Sequence, residues 1–131
     1  MTLANIRDWL KTLDVAEHYY TNRIDNKKEK SLGVYSRASA GRPVIALGGI
    51  RNSSYDILPI SILLHWNRSY PEAEAAAQNL WDQLLEVTDT DIPGGQHIQF
   101  LQPTVQGPVY VATDPNGIHE FVININVYYR R

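Results

Sequence analysis

The chain has 131 residues and a mass of 14.9 kDa, a length that suits one core and leaves little for two. Its 44% apolar and 20% charged residues exclude disorder and fibrous repeats. A net charge of −2, from 12 Lys+Arg against 14 Asp+Glu, argues against nucleic acid as the main partner, and the lack of cysteine excludes a disulfide scaffold, a thiolate zinc site and a Cys nucleophile.

Thr2 caps a helix predicted over residues 3–13, with Leu3, Ile6, Leu10 and Leu13 on one stripe and Trp9 beside it. Residues 18–24 read as a strand, 25–30 as a charged connector and 32–37 as a second strand antiparallel to the first. Residues 38–42 read as a loop, 43–47 as a short third strand, and Gly48-Gly49 with 51–54 as a turn. Residues 55–67 form a strong strand: Leu58, Ile60, Ile62, Leu64 and Trp66 share an apolar face, and Pro59 demands a bulge or an edge. Ser69 opens the best helix, 69–87. Pro71 sits in its first turn, Glu72 completes a capping box, and Ala73, Ala76, Ala77, Leu80, Trp81, Leu84 and Leu85 form one face. Residues 88–96 read as a loop, 97–102 and 108–113 as strands, and Asp114-Pro115-Asn116-Gly117 as a tight turn. The last strand, 118–129, puts Phe121, Ile123, Ile125, Val127 and Tyr129 on one face.

The order α-β-β-β-β-α-β-β-β predicts a single α+β domain, 1–131, with an antiparallel or mixed sheet and two helices packed on one face. The expected core is Leu58, Ile60, Ile62, Leu64, Trp66, Leu80, Trp81, Leu84, Ile123 and Ile125. Charges interrupt the N-terminus early and no apolar run approaches the ~20 residues that span a bilayer, so neither a leader nor a membrane segment is expected. The two Asn-x-Ser sequons, at Asn52 and Asn67, then read as chance matches.

Chemistry is hard to find in the pattern. His18, His65, His97 and His119 show no metal-ligand spacing, and the nearby Asp89 and Asp91 are explained as turn formers. No Gly-x-Ser-x-Gly elbow occurs, and neither glycine pair is followed by the Lys-Ser/Thr of a phosphate loop. No catalytic residue, metal or cofactor is expected. Eight Tyr and three Trp against two Phe lean toward an interaction protein.

The string Leu47-Gly48-Gly49-Ile50, Asn52-Ser53-Ser54-Tyr55 and 60–66 leads into Glu74, Ala75-Ala76-Ala77 and 80–85. With residues 27–35 upstream, and 116–120 leading to Tyr128-Tyr129, it resembles the minor capsid proteins of tailed bacteriophages and prophages of low-GC Gram-positive bacteria. Among these it is similar to tail terminator, or tail-completion, proteins, with Leu80-Trp81 where a Leu-Tyr pair is expected. The resemblance covers nearly the whole chain.

The resemblance implies a structural α+β subunit that forms a ring, commonly a hexamer. The ring caps the tail tube protein and offers a surface to the head connector or stopper protein. DNA crosses its centre only transiently, and the protein is assembled in the host cytoplasm into the virion's head–tail junction. The polar segments 25–30 and 37–42 are then expected to be assembly loops, with Lys27, Lys28, Lys30, Arg37, Arg42 and Arg51 as interface residues. Two other readings stay open: a head-completion or stopper subunit, and a nucleic-acid- or peptide-binding module using Tyr19, Tyr20 and Tyr35 on the sheet. A small hydrolase is a third, with no residue trio behind it.

Overall fold

Alternation along two long strands sets the architecture. In the computed structural model, which describes residues 1–37 and 55–130, β3 (Tyr55–His65) pairs antiparallel with β7 (His119–Arg130) in unbroken register from Tyr55↔Arg130 to His65↔Glu120. Side chains alternate across a pleat, so Ile60, Ile62 and Leu64 lie on the same face as Ile125, Ile123 and Phe121, and all six are buried. β2 (Ser31–Ser36) joins the other edge of β3 antiparallel and adds Leu32 and Val34 to that face.

Around this centre the sheet runs β1-β2-β3-β7-β5-β4. The outer strands are β1 (His18–Thr21), β5 (Gln96–Pro103) and β4 (Thr88–Ile92), and β6 (Val109–Thr113) pairs β7 off that path. Helices α1 (Leu3–Thr12) and α2 (Tyr70–Leu85) cover the apolar face. α1 touches β1 and β2 at one end of the sheet and β4 at the other, so the sheet curls around it. The closest approach is at Gly94, where a Cβ would lie 2.6 Å from Asn5 Nδ2; its φ of +95° also favours glycine. The α+β expectation, a mixed sheet with two helices on one face, holds.

Both helix starts follow the predicted chemistry. Asn5 N–H donates to Thr2 Oγ1 (3.2 Å) and Thr2 N–H donates to Asn5 Oδ1 (2.8 Å), a capping box built with asparagine. α1 buries Ile6, Trp9 and Leu10 and stops before Asp14, whose φ is +53°. At α2, Ser69 Oγ accepts from Glu72 N–H (3.5 Å), but the Glu72 carboxylate turns away to accept from Asn67 Nδ2 (2.6 Å). The expected box is therefore half formed. Asn67 spends its other amide atom on Ser69 N–H and thereby braces the strand-to-helix corner.

Other expectations are corrected. The first two strands are parallel, not antiparallel: His18↔Ser31 through Thr21↔Val34. Parallel pairing normally needs a long crossover. Here the first strand is only four residues long, ended by Asn22 at φ +56°, so residues 22–30 suffice to return. The segment read as a loop over 88–96 contains β4. Thr-Asp-Thr-Asp-Ile shows no apolar alternation, and backbone pairing with β5 holds it as a strand. No bulge forms at Pro59: it stands opposite Asn126 in unbroken register, and its carbonyl accepts from Arg37 N–H (3.1 Å) just past the end of β2. Leu85 does not join the core face of α2; it is 53% exposed, while Ala73, Ala77, Leu80, Trp81 and Leu84 are buried. Leu58 and Trp66 are half-buried and pack on the core from its margin. The predicted strand 43–47 and turn 48–54 lie outside the described residues.

Trp81 is 7% exposed against the apolar cluster. Trp81→Ala should cost about 3–5 kcal/mol, seen as a lower denaturation midpoint; an unchanged midpoint would mean that the side chain carries no packing.

Candidate assembly surface

The polar connector between β1 and β2 is built, not loose. Asp25 Oδ1 accepts from Lys27 N–H (3.0 Å), Asp25 O accepts from Lys28 N–H (3.0 Å), and Ser31 Oγ donates to Lys28 O (3.1 Å). Lys27 and Lys28 therefore hold exposed side chains on an ordered turn. Lys30 differs: it sits at φ +53°, half-buried, with its N–H on Trp66 O (2.7 Å) and its carbonyl accepting from Glu17 and His18. Arg37 spends its guanidinium within the fold, donating to Asn126 Oδ1 (2.8 Å) and Ile125 O (3.1 Å) on β7. Arg42 and Arg51 lie outside the described residues. Thus of the six basic positions, the structure presents Lys27 and Lys28 together and commits Lys30 and Arg37 to structural contacts.

What anchors that connector is His65, fully buried at the end of β3. Its Nδ1 lies 3.1 Å from Glu120 Oε2. Its Nε2 lies 3.1 Å from the Asn26 carbonyl and 3.5 Å from Asp114 Oδ2. Each ring nitrogen lies within hydrogen-bond distance of an oxygen, the Glu120 carboxylate on one side and the Asn26 carbonyl on the other. Asp114 is itself pinned, its Oδ1 accepting from Asn116 and Ile118 N–H to form the turn between β6 and β7. One side chain thus ties together the connector, the central strand pair and the hairpin turn. It is an acid–base cluster without catalytic access, since the ring has no exposed surface. The Tyr35 phenol nearby is pushed above its ordinary pKa by burial, with Glu120 adding to the effect.

Next to the β6–β7 turn lies a surface that the sequence pattern did not mark. β6 is exposed along all five residues, Val-Tyr-Val-Ala-Thr, with Tyr110 at 40% and Val111 at 51%. Among the described residues it pairs only with β7. Tyr70, at the first turn of α2, meets Tyr110 edge-on at 5.2 Å, and both reach Phe121. Tyr70 Oη donates to Glu74 (2.9 Å); that bond, with burial and the Glu74 charge, raises the phenol's pKa. Between α2 and β6 runs a groove of about 500 Å³ lined by Tyr70, Pro71, Glu74, Gln78, Pro108 and Tyr110. The signal in the sequence was the missing alternation in 109–112, which a strand burying one face would show.

His97 contacts Asp91 (2.7 Å) and Asp89 (3.3 Å), whose carboxylates stand in solvent. Among the described residues no group of three or more His, Cys, Asp or Glu side chains is placed to hold a metal ion, and no helix is long and apolar enough to cross a membrane. A family model described as bacteriophage tail terminator protein matches residues 10–131. The chain belongs to the bacteriophage tail terminator family. It is a structural protein of phage tails. Comparison with curated proteins and with solved structures returned no match. In this tail terminator, His65 braces the turn that carries the exposed Lys27 and Lys28 through its contact with Asn26 O.

Removing that brace takes the hydrogen-bond partner from the Glu120 carboxylate and the Asn26 carbonyl and leaves a cavity where a fully buried ring stood. His65→Ala should cost roughly 2–4 kcal/mol in chemical denaturation. A loss under about 1 kcal/mol would show that the ring braces none of these contacts.

Proposed function

We propose that this protein ends tail growth by capping the tip of the tail tube as a ring of identical subunits and that the capped end then receives the head connector. The observation that carries the reading is the family match over residues 10–131. Two features of the fold support it: the exposed, uncharged strand β6, and an ordered turn bearing Lys27 and Lys28. A terminator occupies the surface that the next tube ring would use. Its binding must therefore out-compete self-addition of tube subunits. A ring multiplies each contact through effective concentration, so a small preference per subunit is enough.

Deletion of the gene should leave tails of uncontrolled length and filled heads unjoined, seen by electron microscopy of lysates. Tails of normal length joined to heads would overturn the reading. A head-completion or stopper role would give the contrasting result of normal tail length with unjoined heads.

The lysine turn is part of the same proposal. Lys27→Glu with Lys28→Glu should weaken co-sedimentation of the protein with purified tail tubes and leave the unfolding midpoint unchanged, because both side chains are exposed. Undiminished co-sedimentation would remove this turn from the interface.

A further inference from the structure

The groove between α2 and β6 is shaped for a long cationic side chain. Tyr70 and Tyr110 meet edge-on at 5.2 Å, both rings reach Phe121, and Glu74 lines the same groove with one carboxylate oxygen on Tyr70 Oη (2.9 Å). A lysine or arginine laid along such a groove puts its aliphatic stem on the rings and its charge beside the carboxylate. α2 keeps one sign: it carries Glu72, Glu74 and Asp82 and no lysine or arginine. Arg68, the cation nearest in sequence, is held at the β6–β7 turn, its Nε donating to Asn116 O (3.0 Å).

Among the described residues, exposed cations are grouped at one place. Arg23, Lys27 and Lys28 stand close together on the connector between β1 and β2, and all three are exposed, whereas Lys11, Arg68 and Arg130 stand singly along the chain. Arg23 and Lys27 line one hollow with Tyr20 and Ile24. Asp25 and Glu29 offset only part of the charge, so residues 23–29 remain net positive. The backbone that carries the lysines is fixed by Asp25 and His65, so a partner meets them without first ordering the turn. We propose that the α2–β6 groove receives the Lys27–Lys28 turn of a second copy of this chain. The assignment rests on the ring reading above and names the surfaces through which neighbouring subunits meet. Loss of that contact weakens tube binding as well, because a subunit outside a ring binds alone.

The sheet keeps the two surfaces apart within one chain. Tyr110 stands opposite Phe121, which is buried on the helix-covered face with Leu64, so the groove opens on that side. The connector crosses the other face. Gly33 lies between the buried Leu32 and Val34 and so points away from the helices, and a Cβ there would stand 2.8 Å from Ile24 Cγ2. His65 follows Leu64 and points the same way as Gly33, with Nε2 3.1 Å from Asn26 O. A subunit therefore cannot seat its own turn in its own groove, but its neighbour can. Contact through two different patches is head-to-tail, the kind that closes a ring.

The test uses the full-length protein alone, as an equal mixture of isotope-labelled and unlabelled subunits at concentrations up to about 1 mM. A carbodiimide joins an amine to a carboxylate that touches it, and mass spectrometry of the digest should show mixed-isotope links from Lys27 or Lys28 to Glu74. Lys27→Glu with Lys28→Glu, and separately Glu74→Lys, should each lower this inter-chain linking at least about tenfold. Mixing the two variants should restore it, since one keeps Glu74 and the other keeps both lysines. Each variant is first shown to keep its unfolding midpoint, and Glu74→Gln, which still accepts from Tyr70, replaces Glu74→Lys if that variant does not. Links confined to single chains, inter-chain links only at other residues, or a mixture no better linked than its components would overturn the proposal. Neither tube nor head is present, so the result stands apart from the deletion experiment.

Discussion

Everything in this fold hangs on β3 and β7 agreeing about which side of the sheet is inside. Both strands alternate, and a slip of one residue would turn Ile60, Ile62 and Leu64 to the wrong face together. Once that register is set, β2 and β5 add their own apolar residues to the same face, and the two helices have one surface to cover. The register also delivers His65 opposite Glu120, because both stand at the same end of the pair. The brace that organises the lysine turn is thus a consequence of core patterning as much as of its own polar contacts.

Elements that bury a face could be read from the sequence, and elements held by backbone alone could not. The spacing in α1, α2, β3 and β7 reflects burial directly, so Ile60, Ile62, Leu64, Leu80, Trp81, Leu84, Ile123 and Ile125 were identifiable as core. β4 is held by pairing with β5 while most of its side chains face water, so Thr-Asp-Thr-Asp gave no sign of a strand. Parallel pairing of β1 with β2 depends on how a short segment doubles back, which no periodicity records. At Leu85 the apolar stripe outruns the sheet beneath it, and at Glu72 a nearby amide outcompetes the reciprocal cap.

The candidate surfaces were legible in the same uneven way. Polarity marked residues 25–30 as surface, but polarity cannot separate Lys27 and Lys28, which project, from Lys30, whose backbone is committed to Trp66, Glu17 and His18. Arg37 is a loop arginine by composition and a strut by contact. The α2–β6 margin was invisible because its tyrosines and valines look like ordinary strand residues. Only the sheet order shows that no described strand lies beyond them. Family membership adds what neither geometry nor pattern supplies, the biological setting in which such surfaces are used.

The pairing of β3 with β7 has a cost in time. Tyr55 and Arg130, or His65 and Glu120, are far apart along the chain, and the closure entropy of that loop is lost before the contacts form. β7 is synthesised after β3, β5 and β6, and all three converge on it. During translation the apolar faces of β3 and α2 therefore wait without their central partner. Until β7 emerges, those faces stay exposed, and exposed apolar surface of this kind is where nascent chains depend most on chaperones.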